Sequence, residues 1–163
     1  MELVHLKPGD QQFDARQLEE RVIRVVEQGK QIFTFSTVDE QNRPRTRYMG
    51  VLDISEDYSS FLMATHASSA KMRHLRHNPN ALLMFNTPDF LEIATLSGQA
   101  RREESEEVRR RLWDKNPVLA AYFSGYDDAE FDAILFVAEA AEYLNVNTSS
   151  QAAAMPWSKR EVT

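Results

Sequence analysis

The chain has 163 residues, 42% hydrophobic and 27% charged, a length that allows one domain able to bury roughly 70% of the surface of its unfolded chain. It has no Cys, which excludes a disulfide framework, thiolate metal sites, iron–sulfur clusters and a cysteine nucleophile. Nineteen Lys and Arg against 25 Asp and Glu leave a net charge of −6, which disfavours general binding to nucleic acid or anionic lipid.

Residues 1–12 read as a loose lead-in, and Met1-Glu2-Leu3-Val4-His5 lacks the basic and then apolar run of a secretory signal. Leu18, Val22, Val25, Val26 and Gly29 recur at the spacing of an amphipathic helix, with Asp14 as N-cap and Gly29 as C-cap. Residues 31–38 are rich in β-branched and aromatic types and predict a strand. A turn over 39–42, an extended stretch over 45–54, a turn over 55–57 and a strand over 60–65 follow. The short polar turns predict that these three strands form an antiparallel meander.

A helix over 69–77 is closed by Asn78-Pro79, because Pro cannot continue it. Strands over 81–86 and 90–100 come next. The helix over 103–113 has Glu early and Arg109, Arg110 and Arg111 late, as its dipole favours. A helical turn over 118–123 precedes a long final strand over 132–146, and 149–163 reads as a loose tail. The longest apolar run, 132–138, falls well short of the roughly 20 residues of a membrane span, so a soluble, cytoplasmic protein is expected. The sum is a single domain over 1–163, mainly β with flanking helices (α+β). About six antiparallel strands form a closed or nearly closed barrel.

Polar chemistry concentrates in 63–79. A strand delivers Thr65, a tight loop carries Ser68 and Ser69, and a helix begins with Lys71 in its first turn. The first N–H groups of a helix have no intrahelical partner and sit at the positive end of its dipole, so this loop has the makings of a phosphate seat. Alternation along 45–54 places Arg45, Arg47, Met49, Val51 and Asp53 on one face, directing two guanidinium groups at that seat. The same residues also read plainly as a capped, solvated helix, with Lys71, Arg73 and Arg76 facing water.

In chain order, Arg47-x-Met49-x-Val51, Thr65-x-x-x-Ser69-x-Lys71 and Leu75-x-x-Asn78-Pro79 resemble the FMN-binding split barrels similar to pyridoxamine 5′-phosphate oxidase, and among these the bacterial general stress proteins. The resemblance runs from about Leu18 to Val146. It implies a six-stranded antiparallel split β-barrel that forms a homodimer with FMN at the interface. It also implies that Arg47 and Lys71 hold the FMN phosphate with Ser69 at the same seat. Thr65 and the backbone near Met49, Met63 and Ala64 would line the ribityl chain and ring edge. The implied function is that of an FMN-dependent oxidoreductase acting on a small molecule or NAD(P)H, or alternatively of a non-catalytic protein that stores or senses flavin. No catalytic residue is assigned.

The chain departs from that family in ways that bear on function. The Arg-x-His-Asp-Arg stretch that binds substrate at the end of the oxidase has no counterpart in 153–163, so pyridoxamine phosphate oxidation is not expected. Leu144 follows Glu142-Tyr143 where many relatives carry a Trp near the flavin, and Ile93 stands where the oxidase has a Gln reaching it. His66, His74 and His77 read as solvated or capping residues, since no third ligand has metal-site spacing, and no metal is expected. Asp127, Asp128, Glu130 and Asp132 read as solvated loop carboxylates. Trp113, Tyr122, Phe123 and Tyr126 read as core or dimer packing. Arg101, Arg102, Arg109, Arg110 and Arg111 read as paired with neighbouring glutamates 92, 103, 104, 106 and 107.

Overall fold

Burial with period two governs the strands. In the structure, a computed structural model that describes residues 13–50, 52–148 and 152–157, Phe33, Phe35 and Thr37 turn inward on β1 (Phe33–Val38), and the residues between them lie at half-buried positions. The other strands are β2 (Pro44–Met49), β3 (Leu52–Ile54), β4 (Ser60–His66), β5 (Asn80–Asn86), β6 (Glu92–Arg102), β7 (Phe131–Asn145) and β8 (Ala153–Pro156). They form one eight-stranded antiparallel sheet in the order β2-β1-β5-β6-β7-β4-β3, with β8 beside β7.

Two differences raise the strand number above the expected six. The extended stretch 45–54 is two strands: β2 pairs with β1, and β3 pairs with β4. The meander expected of the first three strands is therefore absent, because β2 and β3 lie at opposite ends of the sheet. So short a connection between the two end strands requires the sheet to curl until its edges approach, which is the split barrel. The second difference is β8. The stretch 149–163, expected to be a loose tail, includes Ala153–Pro156, which pairs with β7, and Trp157, which is buried in the core. The lead-in 1–12 lies outside the described residues.

Helix α1 (Ala15–Gly29) lays Leu18, Val22, Val25 and Val26 on the core. Its capping box is complete: Gln17 N donates to the Asp14 carboxylate at 2.8 Å, and Asp14 N donates to Gln17 Oε1 at 3.1 Å. Gly29 is not the C-cap; it is the last helical residue and Lys30 caps in the ordinary right-handed region. Proximity explains the glycine, since a Cβ there would lie 2.8 Å from the carbonyl oxygen of Asn86.

Strand β4 and the first half of β7 are buried on both faces, which is why their apolar residues run consecutively, whereas the second half of β7 alternates. Phe61, Met63, Ile134 and Phe136 face the barrel core. Leu62, Phe131 and Ala133 face a second cluster with Leu112, Leu119 and Phe123, built under α3 (Glu106–Lys115) and the 3₁₀ turn Pro117–Ala121. Helix α3 begins later than expected because Ser105, not a residue near 103, caps it: Val108 N donates to Ser105 Oγ at 3.3 Å. Helix α2 (Ala70–His77) covers β1 and β6 through Met72, His74 and Leu75. Among the described residues no helix is long and apolar enough to cross a membrane.

Candidate functional site

The antiparallel register of β1 and β2 sets Arg47 opposite Phe35. Arg47 Nη1 donates to the carbonyl oxygen of Phe35 at 3.0 Å and to Thr37 Oγ1 at 2.9 Å, and the guanidinium lies 5.7 Å from the Phe35 ring centre. Thr37 Oγ1 in turn lies 2.9 Å from Nδ1 of His74 on α2, and both residues are buried. Lys71, in the first turn of α2, is close enough for the Arg47 charge to act on it. Among the described residues no carboxylate stands within ion-pair distance of Arg47 or Lys71. Burial pushes the Arg47 guanidinium down from its ordinary value. Burial, and after it the Arg47 charge, push the Lys71 ammonium below the usual lysine range.

A cavity of about 310 Å³ opens beside Lys71, and Arg47 is not among the residues that line it. Its walls are Tyr48, Met49 and Gly50 at the end of β2, Ala64, Thr65 and His66 at the end of β4, then Lys71, and Leu119, Tyr122 and Phe123 from and after the 3₁₀ turn. Four of the residues singled out in the sequence, Met49, Ala64, Thr65 and Lys71, thus meet at one cavity. Ser69 adjoins them: it is the backbone N-cap of α2, but its hydroxyl makes no cap bond and lies 3.1 Å from Thr65 Oγ1 instead. Met63 does not join the lining. Its side chain is buried in the barrel core, because β4 alternates and Met63 faces inward where Ala64 faces the cavity.

Arg45 is not directed at this seat. Its Nε donates to Asp39 Oδ2 at 2.8 Å, and Arg43 Nε donates to the same oxygen at 3.2 Å. The backbone N–H groups of Arg43 and Gln41 donate to Asp39 Oδ1 at 2.9 Å each. These donors hold the Asp39 carboxyl well below the usual carboxylate range, the backbone N–H of Arg43 contributing most. Of the other residues placed on that strand face, Asp53 accepts from Lys115 at 3.3 Å, and Val51 lies outside the described residues.

The remaining candidates sort by position. His74 is buried rather than solvated, His77 Nε2 lies 3.3 Å from Asn42 Oδ1, and His66 packs its ring 4.6 Å from that of Phe123. Among the described residues no group of three His, Asp or Glu side chains is placed to hold a metal ion. Asp132 is buried, contrary to its reading as a solvated loop carboxylate, and accepts from Arg102 at 2.6 Å with Arg109 3.6 Å away. Those arginines therefore take Asp132, not the neighbouring glutamates, and Arg110 lies 4.6 Å over the Tyr126 ring. Trp113 and Phe123 pack on Phe131, while Tyr122 stays exposed at the cavity rim. Ile93 lies directly opposite Leu144 across β6 and β7, so the two positions that depart from the family face each other.

Sequence reasoning missed Thr37, although a signal existed. Thr37 continues the inward alternation of Phe33 and Phe35, and a hydroxyl in a core position demands a hydrogen-bond partner. Tyr48, Gly50 and Leu119 carried no comparable signal, since only the curl of the sheet brings them to the cavity.

A model of the pyridoxamine 5′-phosphate oxidase family matches residues 19–145. Over 77 residues the chain is 36% identical to the pyridoxine/pyridoxamine 5′-phosphate oxidase of Burkholderia mallei, a match that covers 47% of this chain and only 35% of that relative. Among solved structures it is similar to a Clostridium acetobutylicum protein related to general stress protein 26 (TM-score 0.71, 22% identity, covering 85% of this chain and 95% of that one). It is also similar to a pyridoxamine 5′-phosphate oxidase-related, FMN-binding protein of Nostoc punctiforme (TM-score 0.66, 12% identity, covering 90% and 98%). At these identities the solved structures establish the shared fold. With its family match spanning most of the barrel, the chain belongs to the pyridoxamine 5′-phosphate oxidase family.

Proposed function

We propose that this chain is a flavoprotein of the general-stress-protein type that binds FMN and serves as an oxidoreductase on a small molecule or NAD(P)H, with a substrate other than pyridoxamine 5′-phosphate. The observation that carries this reading is the Arg47–Lys71 pair, two half-buried cations with no ion-pairing carboxylate among the described residues, of which Lys71 lines a 310 Å³ cavity. Like charges held together under partial burial are unfavourable, and a phosphate dianion between them removes that cost. Arg47 spends only Nη1 on Phe35 and Thr37, which leaves the rest of its planar fork for phosphate oxygens. The Ser69 hydroxyl and the start of α2 complete the seat.

On this reading Thr65 and the backbone near Met49, Met63 and Ala64 hold the ribityl chain and the ring edge. Bound FMN supplies hydride or electron transfer, and the chain supplies affinity and orientation. The exposed aromatic side chains Tyr48 and Tyr122 on the cavity rim support closure by a second copy, with the flavin at the interface of a homodimer. The FMN-binding relative of the same fold supports the cofactor. A non-catalytic storing or sensing role is favoured by one observation: Ile93 faces Leu144, so neither position offers a hydrogen-bonding group to a flavin ring.

The test is an absorption spectrum after FMN is added to the purified protein and the excess removed. Retained flavin bands with quenched fluorescence are expected, and a colourless protein overturns the assignment. Added NADH or NADPH then separates the two roles: repeated bleaching and reoxidation marks the enzyme, and tight binding without bleaching marks the store. Pyridoxamine 5′-phosphate is expected to give no turnover.

A further inference from the structure

Thr37 has hydrogen-bond partners on both sides. Arg47 Nη1 lies 2.9 Å from its oxygen and His74 Nδ1 lies 2.9 Å from the same oxygen. A guanidinium group only donates, so Thr37 Oγ1 accepts from Arg47, and with one lone pair and one proton remaining it can either accept from His74 Nδ1 or donate to it. Where the Thr37 proton goes to Nδ1, that nitrogen is the acceptor and a neutral ring carries its own proton on Nε2. We propose that His74 is a positioning residue of the phosphate clamp: by accepting the Thr37 proton it turns the Thr37 lone pairs toward Arg47, and so fixes the direction in which Arg47 presents its remaining N–H groups to a phosphate. The inference rests on the reading of Arg47 and Lys71 as the FMN phosphate seat.

The surroundings of the imidazole agree with an acceptor role. His74 is 5% exposed and Thr37 2%, so neither exchanges its partner for water. Arg47 faces the ring from β2, Arg73 from its own helix, and Asp39 and Glu40 from the turn after β1. Both carboxylates are already engaged, Asp39 by Arg43 and Arg45, and Glu40 by Arg73 at 2.7 Å. Burial first, and the Arg47 charge second, hold the ring's proton affinity below the ordinary histidine value, which keeps the ring neutral and one of its nitrogens able to accept. Helix α2 thus carries the ammonium of the seat, Lys71, and the residue that orients its guanidinium, His74, on adjoining turns.

The test compares the dissociation constants of FMN and riboflavin for the parent, His74→Leu and His74→Asn. Riboflavin lacks the phosphate, so the ratio of the two constants isolates the clamp. The parent is expected to prefer FMN. His74→Leu is expected to lose about tenfold of that preference, the effect of one hydrogen bond, with riboflavin affinity unchanged. His74→Asn, whose amide oxygen accepts near the Nδ1 position, is expected to recover most of it. A parent that prefers FMN while His74→Leu keeps the full preference overturns the positioning role and leaves the seat standing. Equal weakening of both ligands in His74→Leu also overturns it, since that is a structural effect. A parent with no preference overturns the seat and this role together. Independently of any variant, nitrogen NMR of the labelled parent is expected to show His74 as the Nε2–H tautomer, and an Nδ1–H tautomer overturns the inference.

Discussion

Trp157 donates its indole Nε1–H to the backbone carbonyl of Tyr58, 99 residues earlier in the chain, at 2.8 Å. Tyr58 holds a left-handed φ of 55° in the turn between β3 and β4, and its hydroxyl donates to Glu27 of α1 at 2.8 Å. Burial, reinforced by that carboxylate, pushes the Tyr58 phenol up to about 12. The indole therefore pins the strand after β7, the β3–β4 turn and, through Tyr58, helix α1. Trp157→Ala is expected to cost about 3–5 kcal/mol, as for a large ring removed from a core. Trp157→Phe, which keeps most of the volume and loses the donor, is expected to cost about 1–3 kcal/mol. Urea unfolding midpoints measure both.

Removing Lys71 separates binding from folding. Lys71→Met is expected to weaken FMN binding by about 1.5–3 kcal/mol, the range for hydrogen bonds to charged groups, while raising the melting temperature of the flavin-free protein. The rise follows because the substitution removes a half-buried ammonium that burial and, after it, the Arg47 charge disfavour, and leaves the apolar stem. Arg47→Ala is expected to lose a similar amount of FMN affinity without the gain in melting temperature, because Thr37 and the Phe35 carbonyl lose their donor. Calorimetric titration and thermal unfolding of the same preparations check the pair, and a lower melting point for Lys71→Met contradicts it.

The pH dependence has a definite sign at two groups. His74 is held below its ordinary value of 6.5 in the folded chain, so the unfolded chain takes up its proton first as pH falls. The stabilisation from His74 is complete above pH 6.5 and is lost as pH falls from there through the lower folded value. His74→Asn is expected to flatten that part of the stability curve. Lys71 is held below its ordinary value of 10.5, so FMN affinity is expected to fall as pH rises through the lowered value, since the ammonium is lost there. An FMN affinity that climbs over the same alkaline range would count against the seat.

Gly98 sits at the β-bulge where the β6–β7 register shifts, and a Cβ there would lie 2.0 Å from the carbonyl oxygen of Val137. Backbone cannot yield as a side chain does, so Gly98→Ala must displace the two longest strands of the sheet. A loss of at least about 3 kcal/mol is expected from chemical denaturation. A variant within a few tenths of a kcal/mol of the parent would show that the bulge relaxes freely.

Much of the architecture is local, and local signals are readable without a structure. Leu18, Val22, Val25 and Val26 specify the buried face of α1, and Asp14 with Gln17 specifies its start, because spacing and capping act within a few residues. The strand–loop–helix run through Thr65, Ser69 and Lys71 belongs to the same class, and the structure brings those residues together. Less accessible were Tyr48, Leu119 and Tyr122, which share a cavity with Lys71 only because the sheet curls and the 3₁₀ turn folds over β4.

The sequence by itself determined the periodicities, the caps and the concentration of cations near one helix start. Tertiary structure alone decided which cation has a partner. Arg45 and Arg47 are equivalent by alternation, yet Arg45 reaches the Asp39 carboxylate in the hairpin turn and Arg47, farther from that turn, meets the Phe35 carbonyl and the Thr37 hydroxyl. Coulomb attraction between side chains fades over a few ångströms of wet protein, so pairing is set by distance in space and not by order along the chain. The folded register of β1 on β2 leaves Arg47 without an ion-pairing carboxylate among the described residues.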